Sequence, residues 1–399
     1  MNYIRSIKLP EGNSSALDRK LFLVGTAFFW ISLYIYQPTL SPYAKYLSKS
    51  LAMVGLVAGS YGFTQLVFRF PLGIWSDKIG RRKPFVLSGF VLIFISCIGL
   101  AMSPNAWSLV LFRATAGVAA SMWVAFTVMY SGYFKDNQAA KAMSMITFCV
   151  GLGQAIGAIG GKIADEYGWL APFYSGAGLS VVGLLLMLPI KEKLKQNRKP
   201  ASFKTLLAVA SHRRLLIVSI ITSLSQFAVF STTYGFLTVY AEGIGASKSH
   251  MGLLIFVINA CQTTAMLLSG TLIAPRLGYK ATVGTAYFSI AGVCFVTPYI
   301  QNLRNLFIFQ GAGALFRGLA YPLLMGMAIQ GIRQEEKAAA MGFFQAVYAI
   351  GMFLGPAISG LIGNAVGLKG VFLCAGGVYI LAALMGIAYL PKREIKQVL

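Results

Sequence analysis

Three arginines interrupt long apolar runs: Arg69, Arg113 and Arg317. A guanidinium in hydrocarbon costs at least about 2.5 kcal/mol, so each needs a reason to be there. Such a group pairs well with a carboxylate, in bidentate geometry and at low dielectric. No Asp or Glu stands in the middle of an apolar run to neutralise them; Asp18, Asp165, Glu166 and Glu242 all fall at run ends. Arg69 lies eight residues before Asp77, close enough to the edge of its run to snorkel out. Arg317 is twelve residues into its run, with Gln310 and Tyr321 on the same helix face. A second constellation, Gly73-Ile-Trp-Ser-Asp77-Lys-Ile-Gly80-Arg81-Arg82-Lys83, packs one acid, four bases and two glycines between two apolar runs. The glycines permit a tight turn and close helix approach. Enzyme chemistry lacks its parts: there is no buried acid–base pair, no metal cluster and no nucleophile beside a base. His212 and His250 lie near run ends. Cys97, Cys149, Cys261, Cys294 and Cys374 lie inside runs without Cys-x-x-Cys spacing, so no disulfide, metal or other cofactor is expected.

The elements that must position these groups are membrane spans. Of 399 residues, 57% are hydrophobic and 11% charged, far from the roughly one-quarter charged of a soluble domain. Runs of about twenty apolar residues, each able to cross a bilayer, are read at 21–44, 51–75, 84–103, 107–131, 142–165, 170–189, 215–240, 251–274, 281–300, 305–329, 339–364 and 369–390. They are numbered spans 1 to 12. Residues 1–20 are polar and the first apolar run is too long for a signal sequence, so no cleavable leader is expected.

The net charge of +23 does not point to nucleic acid, because of where it sits. With both termini cytoplasmic, the inner side holds 25 of the 34 Lys and Arg, the outer side six and the spans three. That asymmetry orients the chain, and anionic lipid of the inner leaflet is partner enough for the surplus. Residues 191–214 carry eight of these bases and read as a cytoplasmic linker; Ser202–Ala210 could form a short amphipathic helix on the membrane face. The linker separates a six-span half, 1–190, from a second, 215–399.

The halves repeat at a nearly constant offset. Trp30, Tyr34 and Gln37 correspond to Gln226, Phe230 and Thr233 at 196; Gly73 to Gly270 at 197; Arg113 and Gly117 to Gln310 and Ala314 at 197. Gly153, Gly157 and Gly161 correspond to Gly351, Gly355 and Ser359 at 198. The second copy of the glycine-rich loop, Gly270 to Lys280, keeps a glycine and bases but has no acid. The spacing Gly-x-x-x-Asp-x-x-Gly-Arg-Arg-Lys resembles the loop between helices 2 and 3 of the major facilitator superfamily. The run Leu111-Phe-Arg113-x-x-x-Gly117 resembles that superfamily's span-4 motif, whose arginine is linked with proton coupling.

This resemblance, over essentially the whole chain, implies an all-α polytopic protein of twelve transmembrane helices in two pseudo-symmetric six-helix halves. It implies a secondary active transporter in the cytoplasmic membrane, working by alternating access, with spans 1, 4, 7 and 10 lining the cavity. Tyr34, Gln37, Arg113, Trp123, Gln226, Tyr234, Gln310, Arg317 and Tyr321 would then contact a small-molecule substrate. Gly73, Asp77, Gly80, Arg81 and Arg82 would form a conformational latch, with Asp77 facing the start of span 11 near Ala338–Met341. Gly153, Gly157, Gly161, Gly351 and Gly355 would pack helices. The exporter pattern on span 5 has Pro after its second glycine; here Ala158 stands there and Gly355-Pro356 appears on span 11 instead. An antiport mechanism with a coupling proton or counter-solute therefore rests on the superfamily alone. The uncompensated arginines favour an anionic or zwitterionic solute. A proton-coupled exporter of hydrophobic compounds and a lipid flippase are the alternatives. A monomer bound by membrane lipids, with no nucleic-acid partner, is expected.

Overall fold

The computed structural model describes residues 16–134, 138–192, 211–333 and 336–391. Residues 202–210, with their expected amphipathic helix, lie outside the described residues. Among the described residues, ten helices are long and apolar enough to cross a membrane. One of them, Ala339–Tyr389, is really two, because Gly367 breaks it with φ 79° and ψ 177°. The seventeen-residue apolar helix Ala171–Met187 completes twelve. The spans are Leu17–Ser48, Leu51–Ser76, Lys83–Ala101, Ala106–Ser131, Ala142–Tyr167, Ala171–Met187, Arg213–Gly243, Lys248–Leu268, Tyr279–Tyr299, Leu303–Ile329 and the two parts of Ala339–Tyr389. An even count puts both ends of the bundle's chain on one face, here called the terminal face; the opposite face is distal.

Polar residues start and stop the spans where water is available. Ser50 caps span 2, Asn105 and Ser108 form a capping box on span 4, Ser247 caps span 8 and Asn302 caps span 10. The helix Leu51–Ile79 stops at Gly80, whose φ of 71° is the left-handed conformation that glycine takes without penalty. Gly73 has no such demand: a Cβ there would meet only Val124 Cγ1, at 3.7 Å. The close helix approach expected of this glycine is absent. Glu192, just after span 6, accepts from the backbone N–H groups of Arg82 and Lys83 at the start of span 3. A carboxylate there satisfies helix-end donors and complements the helix dipole.

Four spans are broken inside the bundle among the described residues, span 5 being split between Ala139–Gly157 and Gly160–Tyr167. Span 1 consists of Ala16–Tyr34 and Gln37–Ser48, with Pro38 in the first turn of the second segment, where its missing N–H costs nothing. Span 4 breaks at Met122, between Ala106–Ser121 and Trp123–Ser131. Span 7 widens into a π turn over Thr232–Phe236. The breaks in spans 1, 4 and 7 each lie beside a residue that the sequence assigned to substrate, whereas the break in span 5 follows Gly157, assigned to helix packing.

Glycines set the packing. A Cβ on Gly153 or Gly157 would lie 2.4 Å from Trp30 Cβ or 2.8 Å from the Tyr34 carbonyl carbon, so span 5 sits directly on span 1. Gly351 and Gly355 put span 11 on span 7 in the same way, 2.0 Å from Ser223 O and 2.3 Å from Phe227 O. Contacts between the halves follow a like pattern. Gly161 meets Lys248 O and Gly252 between spans 5 and 8, while Gly55 meets Pro356 O and Gly360 between spans 2 and 11. On the distal face Asn364 Oδ1 accepts from Leu51 N and Ala52 N, Ser249 donates to Asp165, and Lys248 sits over the Trp169 ring. These seams hold the two halves together on the distal side.

Candidate functional site

At the middle of the bundle the broken helices bring side chains from both halves together. The Tyr234 carbonyl lies in the π turn of span 7, and two side chains of span 1 donate to it. Gln37 Nε2 donates to it at 3.2 Å and Ser41 Oγ at 3.4 Å. The break in span 1 presents Tyr36 and Gln37 to Arg113 of span 4. Arg113 donates from Nη1 to Tyr36 Oη at 2.8 Å and from Nη2 to Gln37 Oε1 at 2.9 Å. Its guanidinium also lies 4.3 Å from the Tyr61 ring centroid, a cation–π contact that stabilises a charge removed from water. Gln37 thus links Arg113 in one half to span 7 in the other.

Arg317 of span 10 donates to Thr233 Oγ1 at 2.8 Å, inside the π turn. Gln310 does not join it: Gln310 Nε2 donates to Thr297 Oγ1 at 2.9 Å and ties span 10 to the distal end of span 9. Its shared helix face with Arg317 does not become a shared bond. Gln226 is half-buried on span 7.

Arg69 departs from expectation. Rather than snorkelling to the edge, it is buried between the halves, because its helix continues ten residues further to Ile79. It donates to Tyr348 Oη at 3.0 Å and Gln345 Oε1 at 3.4 Å on span 11, and to Gln65 Oε1 one turn back on its own helix. Tyr321 of span 10 lies beside Tyr348 in this group. Sequence reasoning missed Gln65, Gln345 and Tyr348, which sit on spans 2 and 11 rather than on the four expected to line the cavity. Lys162, by contrast, is exposed and pairs with Glu166 one turn on at 3.7 Å.

Aromatic rings make a row across the interface. Trp123 packs edge-on against Trp30 at 5.2 Å, Trp30 stacks on Tyr34 at 5.9 Å, Tyr34 reaches Tyr234 at 6.4 Å, and Tyr234 meets Phe230 at 5.0 Å. Such a row offers apolar ring faces and edges with phenol groups along it.

The electrostatics are one-sided. Arg113, Arg317 and Arg69 are 5%, 7% and 8% exposed, and no other charged residue is buried among the described residues. All their side-chain hydrogen-bond partners are neutral. The Nε–H of each guanidinium has no protein acceptor among the described residues. A buried donor left unsatisfied costs about 1–3 kcal/mol, which a ligand acceptor would recover. Among the described residues no group of three or more His, Cys, Asp or Glu could hold a metal ion. The side chains of Asp77 and Ala338 fall outside the described residues.

Twelve apolar helices among the described residues, with buried arginines and tyrosines between two sets of six, define a polytopic membrane protein. The family model of the Major Facilitator Superfamily matches residues 22–303 and 278–398, and the chain belongs to that superfamily. The inner membrane transport protein YajR of Escherichia coli K12 is 25% identical over 379 residues, which cover 92% of this chain and 81% of YajR. The fold is similar to that of the nucleoside transporter NupG, with a TM-score of 0.69 and 16% identity over 92% of this chain and 98% of NupG. It is similar also to the human organic anion transporter MFSD10, with a TM-score of 0.67 and 16% identity over 95% of this chain and all (100%) of MFSD10.

Proposed function

We propose that the chain is a secondary active transporter that carries an anionic or zwitterionic organic solute across the cytoplasmic membrane by alternating access. One observation carries the choice of cargo: the buried charges between the halves are three arginines, each bonded only to neutral side chains. A carboxylate-bearing solute would supply the missing counter-charge. Arg113 and Arg317 approach it from opposite halves, and Arg69 contributes from the seam between spans 2 and 11. Tyr34 and Trp123 give a planar portion of the solute a surface to stack on. Gln37, Gln226, Tyr234 and Tyr321 supply polar contacts. A hydrophobic cation meets repulsion from the same three guanidiniums, which disfavours generic drug export. The fold neighbours do not decide the cargo, since one is named for organic anions and another for nucleosides.

Alternating access would use the seams already described. With the halves held together on the distal side, the solute would reach the arginines from the terminal face, which the excess of Lys and Arg there favours as cytoplasmic. Asp77 would close that side in the opposite state by facing the first turn of span 11. A coupling proton would have to ride on the solute or on span-end acids such as Asp18 or Glu242. Exchange against a second anion needs no such group. Thermal-shift screening of the purified protein against organic anions, zwitterions and hydrophobic cations, followed by flux of each hit in liposomes, tests the reading. An anion that both stabilises the protein and crosses the membrane supports it; a cation as the best hit, or a hit that binds without crossing, overturns it.

A further inference from the structure

We propose that a groove between spans 9 and 12 is a docking site for an anionic phospholipid. It lies on the lipid-facing outside of the bundle, apart from the arginines at the centre. A cavity of about 490 Å³ there has Arg276 and Lys280 at its terminal-face mouth, with Thr285, Phe288 and Ile387 among the residues further in. Lys280, Gly284 and Phe288 are four residues apart, so they follow one helix face from the mouth inward over about 12 Å. Gly284 shapes the floor: a Cβ there would lie 2.9 Å from Ile387 Cγ1, so the glycine makes room for that side chain.

The groove is amphipathic in the sense a phospholipid requires. Its mouth has two cations and no acid in the lining, and neither Arg276 nor Lys280 has a polar partner among the described residues. This is the second copy of the glycine-rich loop, the one that lacks the acid present as Asp77 in the first. Its walls are apolar and open outward, with Leu277 57%, Phe288 41% and Ile387 37% exposed. A soluble phosphate would use the mouth and leave the walls idle. A phospholipid places its phosphate between Arg276 and Lys280 and its first methylenes along Phe288 and Ile387, within the bilayer that the family requires. Basic pockets between transmembrane helices at the headgroup level bind anionic lipid by this logic.

The test is native mass spectrometry of the purified full chain with added phosphatidylglycerol, phosphatidylcholine of the same acyl chains, or inorganic phosphate. It compares wild type, Arg276→Gln, Lys280→Gln and the double variant. A control pair, Lys45→Gln with Lys49→Gln, removes the same charge from the distal face. We expect phosphatidylglycerol to be retained in preference to phosphatidylcholine, with affinity falling about fivefold per charge removed at Arg276 or Lys280 and unchanged in the control. Equal retention of the two lipids, wild-type affinity in the double variant, an equal loss in the control, or displacement of the lipid by millimolar phosphate would each overturn the proposal.

Discussion

A single methyl group at Gly55 should open the distal seam. The Cβ of an alanine there would lie 2.2 Å from Pro356 O and 2.9 Å from Gly360 Cα. Both are backbone atoms, so no side chain can swing aside, and the relief available is separation of span 2 from span 11. Overpacking of this kind typically costs about 1–3 kcal/mol. In the proposed alternating-access cycle, where the two helices would part in the other state, the cost would fall on the distally closed state alone. The ratio of the two states should therefore move by about 5- to 150-fold toward the distally open form. Gly360→Ala should act in the same direction, with a Cβ 2.7 Å from Leu51 O. Since Gly360 lies against Gly55, the two changes should not add. The assay is a spin-label distance distribution between Tyr46 and Tyr299, two exposed positions on the distal face of opposite halves, after replacement of the five cysteines. The expected result is a shift to longer distances in Gly55→Ala at unchanged expression. An unchanged distribution would refute the claim that this glycine seam holds the distal side closed.

Glu192→Gln removes a half-buried carboxylate from the first turn of span 3, an interaction worth up to about 2 kcal/mol. The purified variant should melt at lower temperature than wild type, and an unaltered melting curve would deny the cap its role. Asp77→Asn should insert normally, transport poorly and shift the balance between inward- and outward-facing states; wild-type flux at equal expression would make Asp77 an ordinary loop acid. A reporter fused after Leu399 should score as cytoplasmic, and an external signal would reverse the orientation argued from the Lys and Arg distribution.

The architecture was legible because its signals are long and redundant. Twenty-residue apolar runs cannot be hidden, and the 196–198 offset recurs in residues of four different helix pairs. Of the aromatic residues expected to contact substrate, Tyr34 and Tyr234 meet across the halves, and Trp30 links Trp123 to Tyr34. What escaped was lateral. Depth alone placed Arg69 near an edge, but its helix runs on past the apolar residues to Ile79, so the guanidinium lands between the halves. The bond from Arg113 to Tyr36 depends on the break after Tyr34, which apolar periodicity does not show. Gln310 shares a helix face with Arg317, yet the 3₁₀ turn at the end of span 9 brings Thr297 within its reach instead. The break at Met122 contains neither Pro nor Gly and leaves no mark in sequence. The π turn of span 7 contains Gly235, whose Cβ would lie 2.5 Å from Phe230 O, a signal readable only once the turn is known.

The central claim is that buried arginines select an anionic solute. Its most direct measurement is a calorimetric titration of wild type, Arg113→Gln and Arg317→Gln with the organic anion that best stabilises the protein. A hydrogen bond to a charged group contributes about 1.5–3 kcal/mol, so each variant should bind roughly 10- to 150-fold more weakly. Wild-type affinity for the anion in both variants, or tighter binding of a hydrophobic cation than of any anion by wild type, would contradict the account.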